Sequence, residues 1–174
     1  MKRVRVVAAI AAASFGVAGC GAAHATPSPT LRSVTASGGP TLTGSDVNIT
    51  TFRGRPVVLV FWASWCGPCK DEQPDLNSVY AKWSARVEFL GVDLRDDTKD
   101  ALSFQRQLDV PYPSIADTNA TLAVDYRIPS APALVFLSAQ GKVADTVLGA
   151  LGTMSVADFN TEITTLLGPS GASA

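Results

Sequence analysis

The segment that most restricts how this chain can fold runs from Pro56 to Lys70. It is an unbroken apolar stretch, Pro-Val-Val-Leu-Val-Phe-Trp, followed by Ala-Ser-Trp and then Cys66-Gly67-Pro68-Cys69-Lys70. An apolar run of this length, rich in β-branched and aromatic residues, fits a central strand buried on both faces. Beyond the cysteines, Leu76, Val79, Tyr80 and Trp83 recur at helical spacing within residues 72–86. A buried strand that turns into a helix puts the dithiol at the helix N-terminus, where unpaired N–H groups and the positive dipole end point outward. Such surroundings draw a cysteine pKa from about 8.5 down to roughly 3.5–7.5. Two intervening residues bring the thiols close enough to bond to each other inside one turn. Cys66 is therefore expected to be the exposed nucleophile. Cys69, one turn further in and more buried, is expected to be the resolving thiol that breaks a mixed disulfide.

The remaining elements follow from hydrophobic patterning. Residues 45–52 alternate partly and suit a short half-buried strand, with Arg53-Gly54-Arg55 as a turn. Residues 87–92 read as a second buried strand, and 97–108 as an amphipathic helix carrying Leu102, Phe104 and Leu108. Residues 133–137 and 142–148 read as two strands joined by the turn Ser138-Ala139-Gln140-Gly141. An amphipathic helix over 155–167 is stopped by Gly168-Pro169. This order predicts an α/β fold around a central mixed sheet flanked by helices, its first strands parallel and its hairpin antiparallel. No internal repeat is visible.

The N-terminus reads as a processing segment. Lys2, Arg3 and Arg5 precede a mostly apolar run from Val6 to Val17, too short for a comfortable membrane span of about 20 residues. Val17-Ala18-Gly19-Cys20 resembles the lipobox of bacterial lipoproteins, which implies cleavage before Cys20 and acylation of its thiol. Two or more acyl chains anchor firmly, at about 0.8 kcal/mol per buried methylene. Two other readings stay open: ordinary secretory cleavage at Ala23-His24-Ala25, and an uncleaved signal anchor. All three place the domain outside the cytoplasm. Losing residues 1–19 removes three of the 14 basic residues and none of the 15 acidic ones, a formal balance of −4. With neither a basic face nor an acidic tail, nucleic acid is not an expected partner. Residues 20–42, rich in Ala, Ser, Thr, Gly and Pro, read as a lipidated start and flexible tether with a reach of about 25 Å. The folded domain is expected over 43–168, and 169–174 as a disordered tail.

The segment Phe61-Trp62-Ala63-Ser64-Trp65-Cys66-Gly67-Pro68-Cys69-Lys70 closely resembles the active-site segment of thioredoxins. Glu72 and Pro74, the stretch Tyr112-Pro113-Ser114-Ile115-Ala116-Asp117, and residues 126–137 resemble the membrane-attached TlpA/ResA-like branch. The resemblance covers about residues 44–168. It implies a thioredoxin-like fold and thiol–disulfide oxidoreductase activity that needs no cofactor beyond a redox-active Cys66–Cys69 disulfide. It also implies a cis-proline facing the dithiol, with Trp65, Gly67, Pro68 and the residue before that proline touching substrate. Pro129 and Pro132 could both fill the position. Pro132 is the better match because a strand begins right after it, which makes Ala131 the preceding residue; a loop with both bonds trans is the alternative. Thioredoxin's buried strand acid, six residues before the first cysteine, is Val60 here. Glu72, three residues after Cys69 and so on its side of the helix, is the candidate acid/base, against a plain surface glutamate. Lys70 reads mainly as a surface lysine. Trp62 reads equally as core or substrate surface, and Pro74 as a helix kink.

Other classes fit less well. His24, the only histidine, lies in the tether, so no zinc or copper ligand set is expected. Peroxiredoxins share the fold but carry Pro and Thr in the loop before their cysteine, where Trp62-Ala63-Ser64-Trp65 stands. A purely structural disulfide in a binding domain is disfavoured, since so small a ring contributes little loop entropy. The expected partners are protein thiols and disulfides plus a membrane electron donor or acceptor, with the chain a monomer. Reduction of disulfides, including those of apocytochrome c, is common among the resembled relatives. Oxidation and isomerisation stay open as directions.

Overall fold

A computed structural model describes residues 32–33 and 38–168. The signal segment, Cys20, most of the expected tether and the tail 169–174 lie outside the described residues. In chain order the strands are β1 (Arg32–Ser33), β2 (Gly38–Pro40), β3 (Asp46–Asn48), β4 (Val57–Trp62), β5 (Glu88–Leu94), β6 (Ser114–Asp117), β7 (Ala133–Leu137) and β8 (Lys142–Leu148). The helices are α1 (Gly67–Trp83), α2 (Thr98–Gln107), α3 (Thr121–Tyr126) and α4 (Val156–Leu167).

The apolar run 57–62 becomes the central strand, with every residue buried. It pairs in parallel with β5 and antiparallel with β7, and the sheet order is β1-β8-β7-β4-β5-β6. The sheet is mixed as expected: β4, β5 and β6 run parallel, while β7 and β8 form the antiparallel hairpin. Alternation along β4 divides the core. Val58 and Val60 pack with Leu76, Val79 and Trp83 of α1 and with Phe159 and Ile163 of α4. Leu59 and Phe61 pack on the other face with Leu122 and Tyr126 of α3. At the end of the strand Trp62 leaves both groups and joins a third cluster that holds both cysteines.

Several elements differ from expectation. Of the strand expected over 45–52, only Asp46–Asn48 is extended; Ile49–Phe52 turn into a 3-10 helix capped by Asn48, whose side chain accepts the Thr50 N–H. An Asx cap outcompetes strand pairing because it satisfies a backbone donor locally. The expected tether end at residue 42 lies too late in the chain. Residues 38–40 pair with β3, and Leu42 is buried in the cysteine cluster, so apolar contact holds this stretch down. Helix α1, by contrast, begins at Gly67 with the dithiol at its N-terminus as expected, and Pro68 lies in its first turn, where a missing N–H costs nothing. Strand β6 and helix α3 had no counterpart in the hydrophobic pattern, being only four and six residues long.

Candidate active site

Strand β4 ends at Trp62, and three residues carry the chain over the top of the sheet into α1. Cys66 is the N-cap of that helix, and its sulfur accepts the Cys69 N–H at 3.2 Å. The two cysteines form a disulfide with Cα atoms 5.3 Å apart. An N-cap sulfur facing a helix N-terminus is the arrangement that stabilises thiolate once the bond is reduced. The first turn of α1 carries no acidic residue to oppose that charge. Cys66 is 4 % exposed and Cys69 1 %, so the first cysteine is the more accessible, but it is far less open than expected. Trp62, Leu42, Ala101 and Phe104 share one buried cluster with the two cysteines and account for the cover.

Trp62 is core: its ring stacks on Phe104 at 4.4 Å, and its Nε1 donates to Ser114 Oγ at 3.2 Å. That bond needs Gly91, because a Cβ there would collide with both partners. Trp65 is the opposite case, 57 % exposed beside Cys66, with its Nε1 donating to the Arg95 carbonyl at 3.4 Å. Gly67 and Pro68 are exposed, and a Cβ at Gly67 would meet open space, so no steric demand keeps glycine there. Lys70 is exposed. Pro74 lies inside α1, as the sequence placed it.

The Ala131–Pro132 peptide bond is cis. Ala131 packs against the cysteine cluster, and the Pro132 carbonyl accepts the Gly149 N–H at 2.9 Å, fixing the loop at the mouth of the β7–β8 hairpin. Pro129, the other candidate, does not form a cis bond.

Glu72 is 8 % exposed, which disposes of the plain surface glutamate. Its Oε2 accepts the Leu151 N–H at 3.0 Å, from the 3-10 turn Ala150–Gly152 that precedes α4. Burial pushes its carboxyl up to about 7, and that one hydrogen bond opposes the shift. Glu72 also lines a groove of about 310 Å³ with Pro68, Asp71, Asp75 and Leu151.

Sequence reasoning missed three further residues around the site. Asp93 on β5 pairs in register with Trp62, is 1 % exposed, receives no hydrogen bond at either oxygen, and faces the Asp96 carboxyl. Burial first, then the neighbouring negative charge of Asp96, pushes its carboxyl up to about 8. Asp96, in the loop after β5, accepts from the Ser64 backbone N–H and, at 2.8 Å, from the Ser64 hydroxyl. Asp93 follows directly on a stretch that reads as buried strand, and that position was its only signal; Ser64 and Asp96 had none. Among the described residues no group of three or more His, Cys, Asp or Glu could hold a metal ion.

Fold and site together define a thioredoxin-like protein with a dithiol at a helix N-terminus and a cis-proline whose preceding residue packs against the dithiol's cluster. The chain belongs to the AhpC/TSA family, whose model matches residues 29–146. It is 30 % identical over 110 residues to the thiol-disulfide oxidoreductase ResA of Bacillus cereus, an alignment covering 62 % of this chain and 63 % of that protein. Among solved structures it resembles MTB DsbF, described in mixed oxidised and reduced forms, with a TM-score of 0.68 and 31 % identity over 74 % of this chain and 93 % of the other. It also resembles a secreted Mycobacterium tuberculosis disulfide oxidoreductase homologous to E. coli DsbE, with a TM-score of 0.65 and 28 % identity, covering 72 % and 92 % of the two chains.

Proposed function

We propose that this protein is an extracytoplasmic thiol–disulfide oxidoreductase that reduces disulfides in other proteins through Cys66 and Cys69. The observation that carries the reading is the Cys69 N–H directed at the Cys66 sulfur, on the more accessible cysteine, with Ala131 of the cis Ala131–Pro132 bond packed against the dithiol's cluster. In the reduced protein the Cys66 thiolate attacks one sulfur of a substrate disulfide, and the other leaves as a thiolate. Cys69 loses its proton and attacks the Cys66 sulfur of the mixed disulfide. The second substrate sulfur leaves, and the Cys66–Cys69 disulfide closes. Glu72, held near a pKa of 7, takes up the Cys69 proton. Trp65, Gly67, Pro68 and Ala131 form the surface on which the substrate peptide lies, and no other cofactor takes part.

The Gly-Pro pair between the cysteines supports the reducing direction, since it is the pair of reducing thioredoxins. An oxidising compartment then requires a membrane protein to return electrons to the pair. Acylation at Cys20 tethers the monomeric domain to the outer face of the cell membrane, with apocytochrome c disulfides within its substrate class. The names ResA and disulfide oxidoreductase borne by its relatives support exchange chemistry.

Trapping the cysteines with an alkylating reagent in intact cells tests the direction. A largely reduced Cys66–Cys69 pool is expected. A fully oxidised pool, with efficient oxidation of reduced unfolded protein in vitro, would replace the reductase by an oxidase. Labelling with radioactive palmitate, lost in Cys20→Ser, tests the anchor.

A further inference from the structure

The turn that delivers Cys66 is held from outside the helix. Among the described residues, the turn between Trp62 and Cys66 is closed by the Cys66 N–H to the Ala63 carbonyl, 3.1 Å, and Ser64 and Trp65 are held by side-chain contacts. Both contacts come from the loop after β5. Asp96 accepts the Ser64 N–H on Oδ2 and the Ser64 hydroxyl on Oδ1, and its Oδ1 also accepts the Asp97 N–H at 2.8 Å. The neighbouring Arg95 carbonyl takes the Trp65 indole N–H. Arg95 itself has a φ of 49°, in the left-handed region that non-glycine residues rarely occupy.

We propose that Asp96 is a positioning residue for the dithiol: its two-point grip on Ser64 fixes the turn that carries Cys66 and holds a negative charge on that turn, two residues before the cysteine. Charge-assisted bonds of this kind are stronger than neutral ones and define orientation as well as distance. A fixed anion near a forming thiolate raises the proton affinity of the thiol, against the pull of the helix N-terminus. The result restrains Cys66 from becoming too stable as a thiolate, which makes the pair more reducing than it would be without that charge, whichever way electrons flow in the cell. Asp93, one layer deeper on β5, stays neutral below about pH 8, since burial and the Asp96 charge both disfavour its ionisation.

This inference rests on exchange at Cys66, not on the direction of electron flow. The test follows iodoacetamide alkylation of the reduced full chain between pH 4 and 9, with peptide mapping of the modified cysteine, alongside the equilibrium with glutathione. In Asp96→Asn the alkylation midpoint should move to lower pH, giving about threefold more thiolate below the midpoint. The glutathione equilibrium should move about as far toward the reduced protein. Ser64→Ala, which frees the carboxylate from one tie, should move both in the same direction by less, and the double variant should match Asp96→Asn alone. Asp97→Asn, which keeps an Oδ1 acceptor for the Lys99 N–H but removes a neighbouring charge, should leave both readouts unchanged. An unmoved midpoint in Asp96→Asn, fully additive shifts in the double variant, or an equal shift in Asp97→Asn would overturn the assignment. Should Asp96→Asn not fold, the Ser64→Ala midpoint decides alone. Alkylation of the wild type at Cys69 would instead overturn Cys66 as the nucleophile and leave the Asp96 grip untouched.

Discussion

Two strand–turn–helix units stand side by side in this molecule, and they are closed by different chemistry. In the first, β4 feeds α1, and the cap is a sulfur: Cys66 accepts the Cys69 N–H at 3.2 Å. In the second, β5 feeds α2, and the cap is a carboxylate: Asp97 accepts the Lys99 N–H at 2.8 Å. The second helix has Asp100 in its first turn, the usual complement to the dipole, while the first has no acid there. The supplying strands differ too. All six residues of β4 are apolar, whereas β5 carries the buried Asp93. A structural cap satisfies the helix permanently. In the proposed mechanism the sulfur cap leaves the helix N-terminus partly uncompensated, so its field acts on the Cys66 sulfur.

Removing the reactive cap has the largest expected effect. Cys66→Ser keeps a capping oxygen, so α1 should form as before. Disulfide reduction, measured on a small protein disulfide such as insulin's, should fall about 10³-fold or more, because serine cannot form the mixed disulfide. Residual activity near wild type would mean that the cap is structural in both units.

Making β5 resemble β4 is the next test. Asp93 holds its proton up to about pH 8 in the folded chain, whereas in the unfolded chain it gives it up near pH 4. Between those values the unfolded state has lost a proton that the folded state keeps, so wild-type stability falls as pH rises through the window. Asp93→Asn removes that titration. Its stability in urea should match the wild type near pH 4 and exceed it increasingly up to pH 8, by roughly 1–3 kcal/mol after allowing for solvent screening. A pH-independent difference would show that Asp93 finds a partner in solution.

Giving α1 the acid of α2 should act more mildly. Pro68→Glu places a carboxylate in the first turn beside Cys66 and should raise its alkylation midpoint by about half a unit to one unit, leaving three- to tenfold less thiolate at neutral pH. The smallest effect belongs to the structural cap. Asp97→Ala should cost about 1 kcal/mol in a urea melt, with insulin reduction unaltered.

The sequence was most informative where structure is local. The dithiol, the strand before it and the helix after it follow from apolar run length, proline placement and helical spacing, all short-range properties. The cis bond at Pro132 was implied by the family resemblance, and the strand that begins right after it favoured Pro132 over Pro129. What escaped notice depends on distant partners. Strand β6 is four residues long and forms because Gly91 and Ser114 sit in register across strands, an approach only glycine allows. Leu42 looked like tether but is held by the cysteine cluster, more than twenty residues away in sequence.

The amino-acid sequence by itself determined the chemistry: two thiols two residues apart, placed where a buried strand must give way to a helix. Tertiary structure decided how that chemistry is tuned. It buried Glu72 against Leu151, put Asp93 beside Trp62 without a donor, and brought Asp96 onto Ser64 from 32 residues further along the chain. A sulfur's capping geometry is set within one helical turn and can be read from spacing. A carboxyl's proton affinity depends on which atoms replace its water, and only packing of the whole sheet settles that.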